Sequence, residues 1–294
     1  MTALKSDASL RGKVKALAKQ KGLRPQEVLQ MYLFEHFLLR LSKSGYSDNF
    51  ILKGGLLVAA VTGIARRTTM DLDTTVTGMD ADETRMAEAV RAICSVAVDD
   101  GMRYRLERLE PIREDDEYAN WRAHLRASYG RIDAPIKLDI TTGDVITPRE
   151  ASYGYPLLFE EGSIKVMAYP LVAILAEKFE TIVRRGSANT RGRDFYDVFI
   201  LMKTKSDSVD PAQFKQALQA TATRRGSLEF VANYRERLEE VRASAVMRTG
   251  VWERYIHATE YAKGIGFDEV IDAALELGDM AAFHESCAVV GEHR

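Results

Sequence analysis

Asp71 and Asp73 lie one residue apart in a segment whose composition predicts a strand. Alternate residues of a strand point to the same side of a sheet, so both carboxylates can be directed at one point while Leu72 faces the core. Carboxylate oxygens are ligands that hard divalent cations prefer. The pair therefore predicts a metal site, with Mg²⁺ expected and Mn²⁺ as the alternative. An isolated Asp-x-Asp pair is also common at solvated strand ends, so the pattern needs support from its neighbours.

A glycine pair supplies part of that support. Gly54 and Gly55 follow the apolar residues 50–52 and open a predicted helix. Free backbone N–H groups and the positive end of a helix dipole favour phosphate at such a turn. Lys53 before the glycines and Arg67 before the acidic pair would offset further phosphate charge. The order Lys-Gly-Gly differs from an ordinary P-loop, in which the lysine follows the last glycine.

A third carboxylate, Asp139, is flanked by apolar residues of a predicted interior strand. A buried aspartate without a partner is costly, so Asp139 requires a cation, an arginine or hydrogen bonds. Two interpretations remain open. Asp139 is either a core residue paired with Arg or Lys, or a third metal ligand beside Asp71 and Asp73.

A second cluster of charged residues lies more than a hundred positions later. Lys178 belongs to a predicted helix over residues 171–185, and Asp194 and Asp197 share a face if a helix begins there. Solvated surface with local ion pairs is the alternative to a phosphate site. The densest basic cluster of the chain is also here, and it could bind phosphates of a nucleotide or RNA. It consists of Arg184, Arg185, Arg191 and Arg193.

Composition restricts the setting of such a site. The chain has 294 residues and a net charge of −2, so any nucleic-acid contact requires a local basic patch. Its two cysteines, Cys94 and Cys287, have no ligand-like spacing, which argues against a zinc site or a disulfide framework and favours a reducing compartment. No apolar stretch approaches the roughly 20 residues of a membrane span, and residues 1–7 do not resemble a secretory signal. We therefore expect a cytoplasmic protein without a membrane partner.

Periodicity predicts an α+β fold with helices at both ends. Residues 1–45 form a helical lead-in whose second helix starts at Pro25. Strands alternating with short connections after a helix predict a mixed or antiparallel sheet. The predicted strands are 71–77, 104–112, 121–129 and 136–141, and a helix is expected over 81–98.

Beyond Pro170 the strand signal fades and amphipathic helices dominate. The turn-rich stretch 143–162 is the best candidate for a boundary. We expect a first domain over residues 1–165 and a helical lobe over 166–294 that completes an active-site cleft. The helices predicted in this lobe are 171–185, 194–204, 211–222, 227–243, 250–263 and 268–279.

Jointly, these motifs resemble the AbiEii/AbiGii toxin family of nucleotidyltransferases in the DNA-polymerase-β-like superfamily. The resemblance spans Phe50 to Leu201 and implies a nucleotidyltransferase core with a mixed sheet. The matching segments are Leu52-Lys-Gly-Gly55, Arg67-x-Thr-x-Asp71-Leu-Asp73, Lys178 in Ala176-Glu-Lys-Phe-Glu-Thr-Ile, and Arg193-Asp194-x-x-Asp197.

The resemblance implies the toxin half of a toxin–antitoxin or phage-defence pair, with the cognate antitoxin encoded next door. Such an enzyme adds a nucleotide from an NTP to the 3′ end of tRNA, with GTP or CTP favoured over ATP or UTP and no role for DNA. By position, Asp71, Asp73, Lys178 and Asp194 would be catalytic, with Asp71, Asp73 and Asp139 binding Mg²⁺. Thr69 matches a hydroxyl position that a kinase-type antitoxin could phosphorylate. Nucleotide binding would fall to Lys53, Gly54, Gly55, Arg67, Thr69, Arg193 and Asp197.

Two alternatives remain at this point. The acceptor could be a small molecule or a protein side chain instead of tRNA, or the chain could be a catalytically silent module that binds a nucleotide or a partner. Intact Asp71, Asp73 and Lys178 favour an enzyme over the silent module.

Overall fold

The computed structural model describes residues 6–112 and 120–281, which form two compact units. The first unit comprises the chain up to Asp144 together with Arg149–Tyr169. The second comprises Val145–Pro148 and the chain from Pro170 onward. Cys287 lies outside the described residues.

The first unit combines four helices with one sheet among its described residues. Its helices are α1 (Asp7–Lys21), α2 (Pro25–Lys43), α3 (Gly54–Thr62) and α4 (Glu83–Ser95). Its strands are β1 (Phe50–Lys53), β2 (Leu72–Val76), β3 (Arg103–Pro111), β4 (Trp121–Tyr129), β5 (Ile132–Thr142), β6 (Ala151–Pro156) and β7 (Ser163–Ala168).

The sheet is mixed, which confirms the prediction. Its strand order is β3-β4-β5-β2-β1-β7-β6. The pairs β2/β5 and β1/β7 are parallel, whereas β1/β2, β3/β4, β4/β5 and β6/β7 are antiparallel. The central position of β2 brings the segment with the acidic pair between β1 and β5.

The strand β6 was not predicted, because it lies inside the stretch 143–162 that the sequence marks as turns. Gly154 and Pro156 are both residues that strands usually lack. The strand pairs only with β7 and is the last strand of the sheet, and edge strands tolerate such residues. The stretch that the sequence marks as turns therefore includes an edge strand.

Short-range signals fix the ends of the N-terminal helices. The Ser6 hydroxyl accepts a hydrogen bond from the Ser9 N–H at 3.2 Å, and α1 ends at Gly22 in the left-handed region with φ of 66°. Pro25 is the first residue of α2, as its fixed φ favours. The helical lead-in is confirmed.

A buried ion pair connects α2 to the start of β3. The Arg40 guanidinium donates to both Asp100 oxygens at 2.8 Å and to the Met102 carbonyl at 2.7 Å. Burial by itself raises the pKa of Asp100, but the hydrogen bonds from Arg40 and His36 outweigh it and hold this pKa well below its ordinary value. Asp100 therefore stays charged within the core.

Apart from Val145–Pro148 and the connecting turns, the described part of the second unit is helical. Its α-helices are α5 (Leu171–Arg185), α6 (Gly192–Lys205), α7 (Pro211–Arg224), α8 (Leu228–Ala232), α9 (Tyr234–Ala243), α10 (Arg254–Ala258) and α11 (Phe267–Ala281). A π-helix over Val246–Glu253 and 3₁₀ turns at Gly186–Ala188, Ser206–Ser208 and Glu260–Ala262 complete it. Of the helices described, none is long and apolar enough to cross a membrane.

Two of the predicted long helices are interrupted. The span 227–243 breaks at Asn233, whose side-chain amide donates to the Glu229 carbonyl at 3.1 Å. Such side-chain bonds compete with the helical backbone pattern. The span 250–263 is replaced by the end of the π-helix, α10 and a 3₁₀ turn.

Besides Asp100, the first unit buries the carboxyl of Glu35, which lies in the middle of α2. Glu35 is 2% exposed, and its Oε2 accepts a hydrogen bond from the Leu158 N–H at 2.6 Å. It lines a cavity of about 220 Å³ whose other walls are mostly apolar. Burial raises the pKa of Glu35 to about 8. At neutral pH the folded protein therefore favours the protonated form.

This pKa predicts a stability that falls as pH rises. Between the ordinary pKa of 4.5 and about 8, the folded state keeps a proton that the unfolded chain has released. The stabilisation is fully present below 4.5 and is lost as pH rises through about 8, by up to about 1.4 kcal/mol per pH unit. Glu35→Gln keeps the shape without the charge. We expect the free energy of unfolding of this variant to exceed that of the wild type by about 1–3 kcal/mol at pH 8. Its free energy of unfolding should also vary less with pH.

Urea unfolding at pH 5 and pH 8 measures the difference. Glu88→Gln on the exposed side of α4 serves as the control, because its side chain is 54% exposed. Parallel pH profiles for Glu35→Gln and the wild type would contradict the raised pKa.

Candidate active site

The glycine turn holds the Asp73 carboxylate at close range. Strand β1 ends at Lys53 and α3 begins at Gly54, whose φ of 65° lies in the left-handed region. Register pairs Lys53 with Asp73 across β1 and β2. A Cβ added to Gly54 would lie 2.1 Å from Asp73 Oδ2, and the Gly55 N–H donates to the same oxygen at 3.4 Å. Only glycine therefore fits beneath this carboxylate.

Arg67 and Thr69 lie over the second glycine. A Cβ added to Gly55 would meet Arg67 Nη2 at 2.9 Å and Thr69 Oγ1 at 3.1 Å. Arg67 is buried, and its guanidinium donates to the Thr68 carbonyl. The structure thus brings these side chains and Asp73 together around the glycine turn.

Thr69 also fixes the backbone of Asp71. The Thr69 hydroxyl accepts a hydrogen bond from the Asp71 N–H at 3.2 Å and donates to the Asp71 carbonyl at 3.1 Å. Strand β2 starts at the next residue, Leu72, which is buried. The predicted alternation is therefore present, with Leu72 in the core between the two aspartates.

Asp139 is bound by an arginine that sequence reasoning missed. Register pairs Asp139 with Asp73 on one side and with Arg122 on the other. Arg122 Nε and Nη2 donate to the two Asp139 oxygens, each at 2.8 Å. The hydrogen bond to Asp139, followed by the charges of Asp139 and Asp71, raises the pKa of Arg122 above its ordinary value. Of the two interpretations left open for Asp139, the structure favours the arginine pair.

These contacts decide which residues fit a metal ion. Within residues 6–112 and 120–281, no group of three or more His, Cys, Asp or Glu side chains is arranged to hold one. Mg²⁺ is commonly bound by one or two carboxylates together with substrate phosphates. Asp71 and Asp73 offer that minimal set, whereas both oxygens of Asp139 are bonded to Arg122.

Lys53 pairs with a carboxylate that the sequence did not mark. Its Nζ lies 2.5 Å from Asp144 Oδ2, which also accepts hydrogen bonds from the hydroxyls of Thr75 at 2.6 Å and Thr141 at 2.7 Å. Burial alone raises the pKa of Asp144, but the Lys53 charge and these hydrogen bonds hold it well below its ordinary value. Lys53 therefore lies in a charged network next to the glycine turn, with its charge balanced by Asp144.

In the second unit, Lys178 is held by the two acidic residues predicted with it. Its Nζ lies 3.2 Å from Asp194 Oδ1 and 2.7 Å from Asp197 Oδ2. Asp194 also pairs with Arg191 at 3.0 Å. Both carboxylates are buried, and the Lys178 side chain is only 12% exposed. Helices α5 and α6 thus share a charged cluster, which excludes the solvated-surface alternative for these three residues.

The predicted arginine cluster is divided in the structure. Arg184 donates to the buried Glu180 at 2.6 Å, and Arg191 belongs to the Lys178 cluster. Arg193 is exposed on the first turn of α6. Glu180 also accepts from Arg225 at 2.6 Å. Part of this cluster is therefore used to balance buried acids.

Comparison with known proteins agrees with the fold and the motifs. The model of the family described as "Nucleotidyl transferase AbiEii toxin, Type IV TA system" matches residues 36–273. No curated protein matches the chain. The crystal structure of JHP933 from Helicobacter pylori is 14% identical with a TM-score of 0.51, over 88% of this chain and 91% of that one.

A putative nucleotidyltransferase from H. pylori is 16% identical with a TM-score of 0.46, over 88% of this chain and 94% of that one. Because these identities are low, the structural likeness to JHP933 concerns the fold alone. The family match covers most of the chain and includes all the motifs described above. The chain belongs to the AbiEii family of nucleotidyltransferase toxins from type IV toxin–antitoxin systems.

Proposed function

We propose that this chain transfers a nucleoside monophosphate from an NTP to the 3′ end of tRNA, which then no longer supports translation. The observation that carries the proposal is the Asp73 carboxylate held against the Gly54 turn, one residue from Asp71. Acidic residues beside a phosphate-binding turn suit nucleotidyl transfer, and here both lie at the same end of the paired central strands β1 and β2.

The reaction forms one bond and breaks another at the α-phosphorus. The terminal hydroxyl of the acceptor attacks the α-phosphate and loses its proton, the bond to the β-phosphate oxygen breaks, and pyrophosphate leaves. A Mg²⁺ ion held by Asp71 and Asp73, with Mn²⁺ as a substitute, would supply charge neutralisation at the phosphates when bound. Arg122 keeps Asp139 out of that ligand set and adds a positive charge near Asp71.

The chain's own cations and N–H groups would orient the triphosphate. We assign the turn at Gly54 and Gly55, together with the Arg67 guanidinium that lies beside Gly55, to phosphate oxygens. We assign Lys178 to the triphosphate as well, with Asp194 and Asp197 fixing the position of its ammonium group. The exposed Arg193 remains a proposed nucleotide contact.

The biological setting follows from the family. A toxin of a type IV system has a cognate antitoxin, and we propose that its gene lies next to this one. Since the proposed substrate is tRNA, the site of action would be the cytoplasm. GTP or CTP is the proposed nucleotide.

Incubation of the protein with total tRNA and each α-labelled NTP in turn tests the proposal. We expect Mg²⁺-dependent label at the 3′ end of tRNA with GTP or CTP, and no label when EDTA is added. Label found instead on a small molecule or on protein would show that the acceptor is not tRNA. The absence of any labelled product with all four NTPs would overturn the proposal that this chain transfers nucleotides.

A further inference from the structure

The face of the sheet that carries Asp73 and Asp139 continues as a row of basic residues on β4 and β3. In antiparallel strands, directly paired residues point to the same side. Arg122 pairs with Asp139, and Arg126, four residues further along β4, pairs with Arg105 on β3. The intervening residues Ala123 and Leu125 are fully buried and belong to the opposite face. The basic row therefore lies on the open side of the sheet.

We call this surface the arginine face. Its cations outnumber its carboxylates by six to four on the described strands β3 to β5, although the whole chain has a net charge of −2. The cations are Arg103, Arg105, Arg108, Arg122, Arg126 and Lys137, and the carboxylates are Glu107, Glu110, Asp133 and Asp139.

Two arginines face each other directly on this surface. Arg105 and Arg126 are cross-strand partners, an arrangement of like charges that destabilises a sheet. Glu107 lies between them, at 3.0 Å from Arg105 and 3.1 Å from Arg126, and Asp133 lies 3.7 Å from Arg126. The Arg105 side chain is also 70% exposed and accessible to a ligand.

The arginine face starts at the candidate active site. Arg122 contacts Asp139, which pairs with Asp73 across β5 and β2. Arg126 follows four residues later, about 13 Å along the strand. A chain of phosphates on this face would thus lead directly to the catalytic carboxylates. Planar guanidinium groups bind phosphate oxygens in pairs, which suits them to this task.

We propose that the arginine face binds the phosphate backbone of the acceptor RNA and directs its 3′ end toward Asp73. This inference rests on the proposed function, because it assigns the surface that holds the acceptor of that reaction. The ligand class is RNA, recognised through its backbone without a requirement for base sequence.

Fluorescence anisotropy with a labelled tRNA, in the absence of NTP, tests the surface directly. Arg105→Gln/Arg126→Gln removes two cations that lie outside the catalytic site. We expect its Kd for tRNA to rise at least about tenfold near 0.1 M salt, with the slope of log K against log salt reduced by about 1 to 2. The matched control is Arg235→Gln/Arg248→Gln, two partly exposed arginines of the second unit that are also ion-paired with carboxylates. An equal effect of the two double variants would overturn the inference.

A gain-of-binding variant separates the inference from misfolding. Glu107→Gln removes the carboxylate that competes for Arg105 and Arg126. We expect Glu107→Gln to bind tRNA roughly threefold more tightly with a steeper salt dependence. Unchanged or weaker binding by this variant would count against the surface.

The transfer assay distinguishes the two proposals. If the wild type labels tRNA and the Arg105→Gln/Arg126→Gln variant has the wild-type kcat/KM for tRNA, the arginine face does not bind the acceptor and the proposed reaction stands. If no NTP labels tRNA but the Arg105→Gln/Arg126→Gln variant binds tRNA more weakly than the wild type, the proposed transfer to tRNA is overturned and the arginine face stands as an RNA-binding surface.

Discussion

Gly54→Ala is expected to reduce nucleotide transfer by about a hundredfold or more, to a level close to that of Asp73→Asn. An alanine Cβ at this position would lie 2.1 Å from Asp73 Oδ2, far inside van der Waals contact. The three atoms nearest to this Cβ all belong to the Asp73 side chain, so the carboxylate has to move by about an ångström. Displacing a carboxylate that we propose to be catalytic by that distance is sufficient for an effect of this size.

The control for this prediction is another glycine with the same backbone conformation. Gly22 has φ of 66° and no heavy atom within 4 Å of an added Cβ, whereas Gly54 has φ of 65° and the Asp73 contact. Both substitutions force alanine into the left-handed region, at about 1–2 kcal/mol. We therefore expect Gly22→Ala to lose stability but to retain transfer activity.

Urea unfolding and labelled-nucleotide incorporation, measured on all three variants, separate strain from misplacement. If Gly54→Ala kept near wild-type activity, the position of the Asp73 carboxylate would be unimportant for the reaction. If Gly22→Ala lost as much activity as Gly54→Ala, the loss would be due to destabilisation and not to the site.

The elements around this turn were predictable because their signals are local. Alternation of apolar and polar residues marked β4 at Trp121–Tyr129 with its observed bounds, and the glycine pair marked the start of α3. The spacing of Asp71 and Asp73 also determines which side of β2 they occupy. Pattern and spacing were sufficient for these elements, whereas the alternating strand β7 (Ser163–Ala168) was not predicted.

The partners of the charged residues were not predictable in the same way. Asp144 follows β5 in a turn, and it contacts Lys53, which lies 91 positions earlier in the chain. Arg122 belongs to the polar side of β4, a side visible in the sequence, but only the register of β4 against β5 places it opposite Asp139. Because strand order and register depend on tertiary packing, a sequence pattern identifies which residues are charged but not which charges meet.

The same limit affected the role assigned to Asp139. The sequence required a partner for this carboxylate but could not choose between an arginine and a metal ion. Two hydrogen bonds of 2.8 Å to Arg122 favour the arginine pair. The proposed metal site therefore depends on Asp71 and Asp73.

Lys178→Met is expected to destabilise the second unit by about 3–5 kcal/mol, a large fraction of the stability of a typical domain. The Lys178 ammonium lies between two carboxylates that are 2% and 0% exposed. Removing it leaves buried negative charge without its ammonium partner, and breaking one side of a buried pair costs more than the pair contributes. Lys203→Met on α6 removes an exposed lysine and should change the unfolding free energy by less than about 0.5 kcal/mol.

A double-mutant cycle tests whether the ion pair itself is responsible. Asp197→Asn removes the carboxylate closest to Lys178, at 2.7 Å. If the two residues are coupled, Lys178→Met/Asp197→Asn will be less destabilised than the sum of the single variants by about 1–3 kcal/mol. Simple additivity would show that the charges do not stabilise each other, contrary to the distances.

This stability effect determines how an activity measurement on Lys178 must be interpreted. A loss of transfer by Lys178→Met arises from unfolding as readily as from a lost phosphate contact, because the ammonium that balances Asp194 and Asp197 is also the one that we propose for the triphosphate. Lys178→Arg keeps the positive charge, so it should recover most of the stability while its altered geometry still impairs a phosphate contact. We therefore expect Lys178→Arg to fold and to show a raised KM for the NTP. A folded Lys178→Arg with unchanged kinetics would assign Lys178 to the stability of α5 and α6 alone.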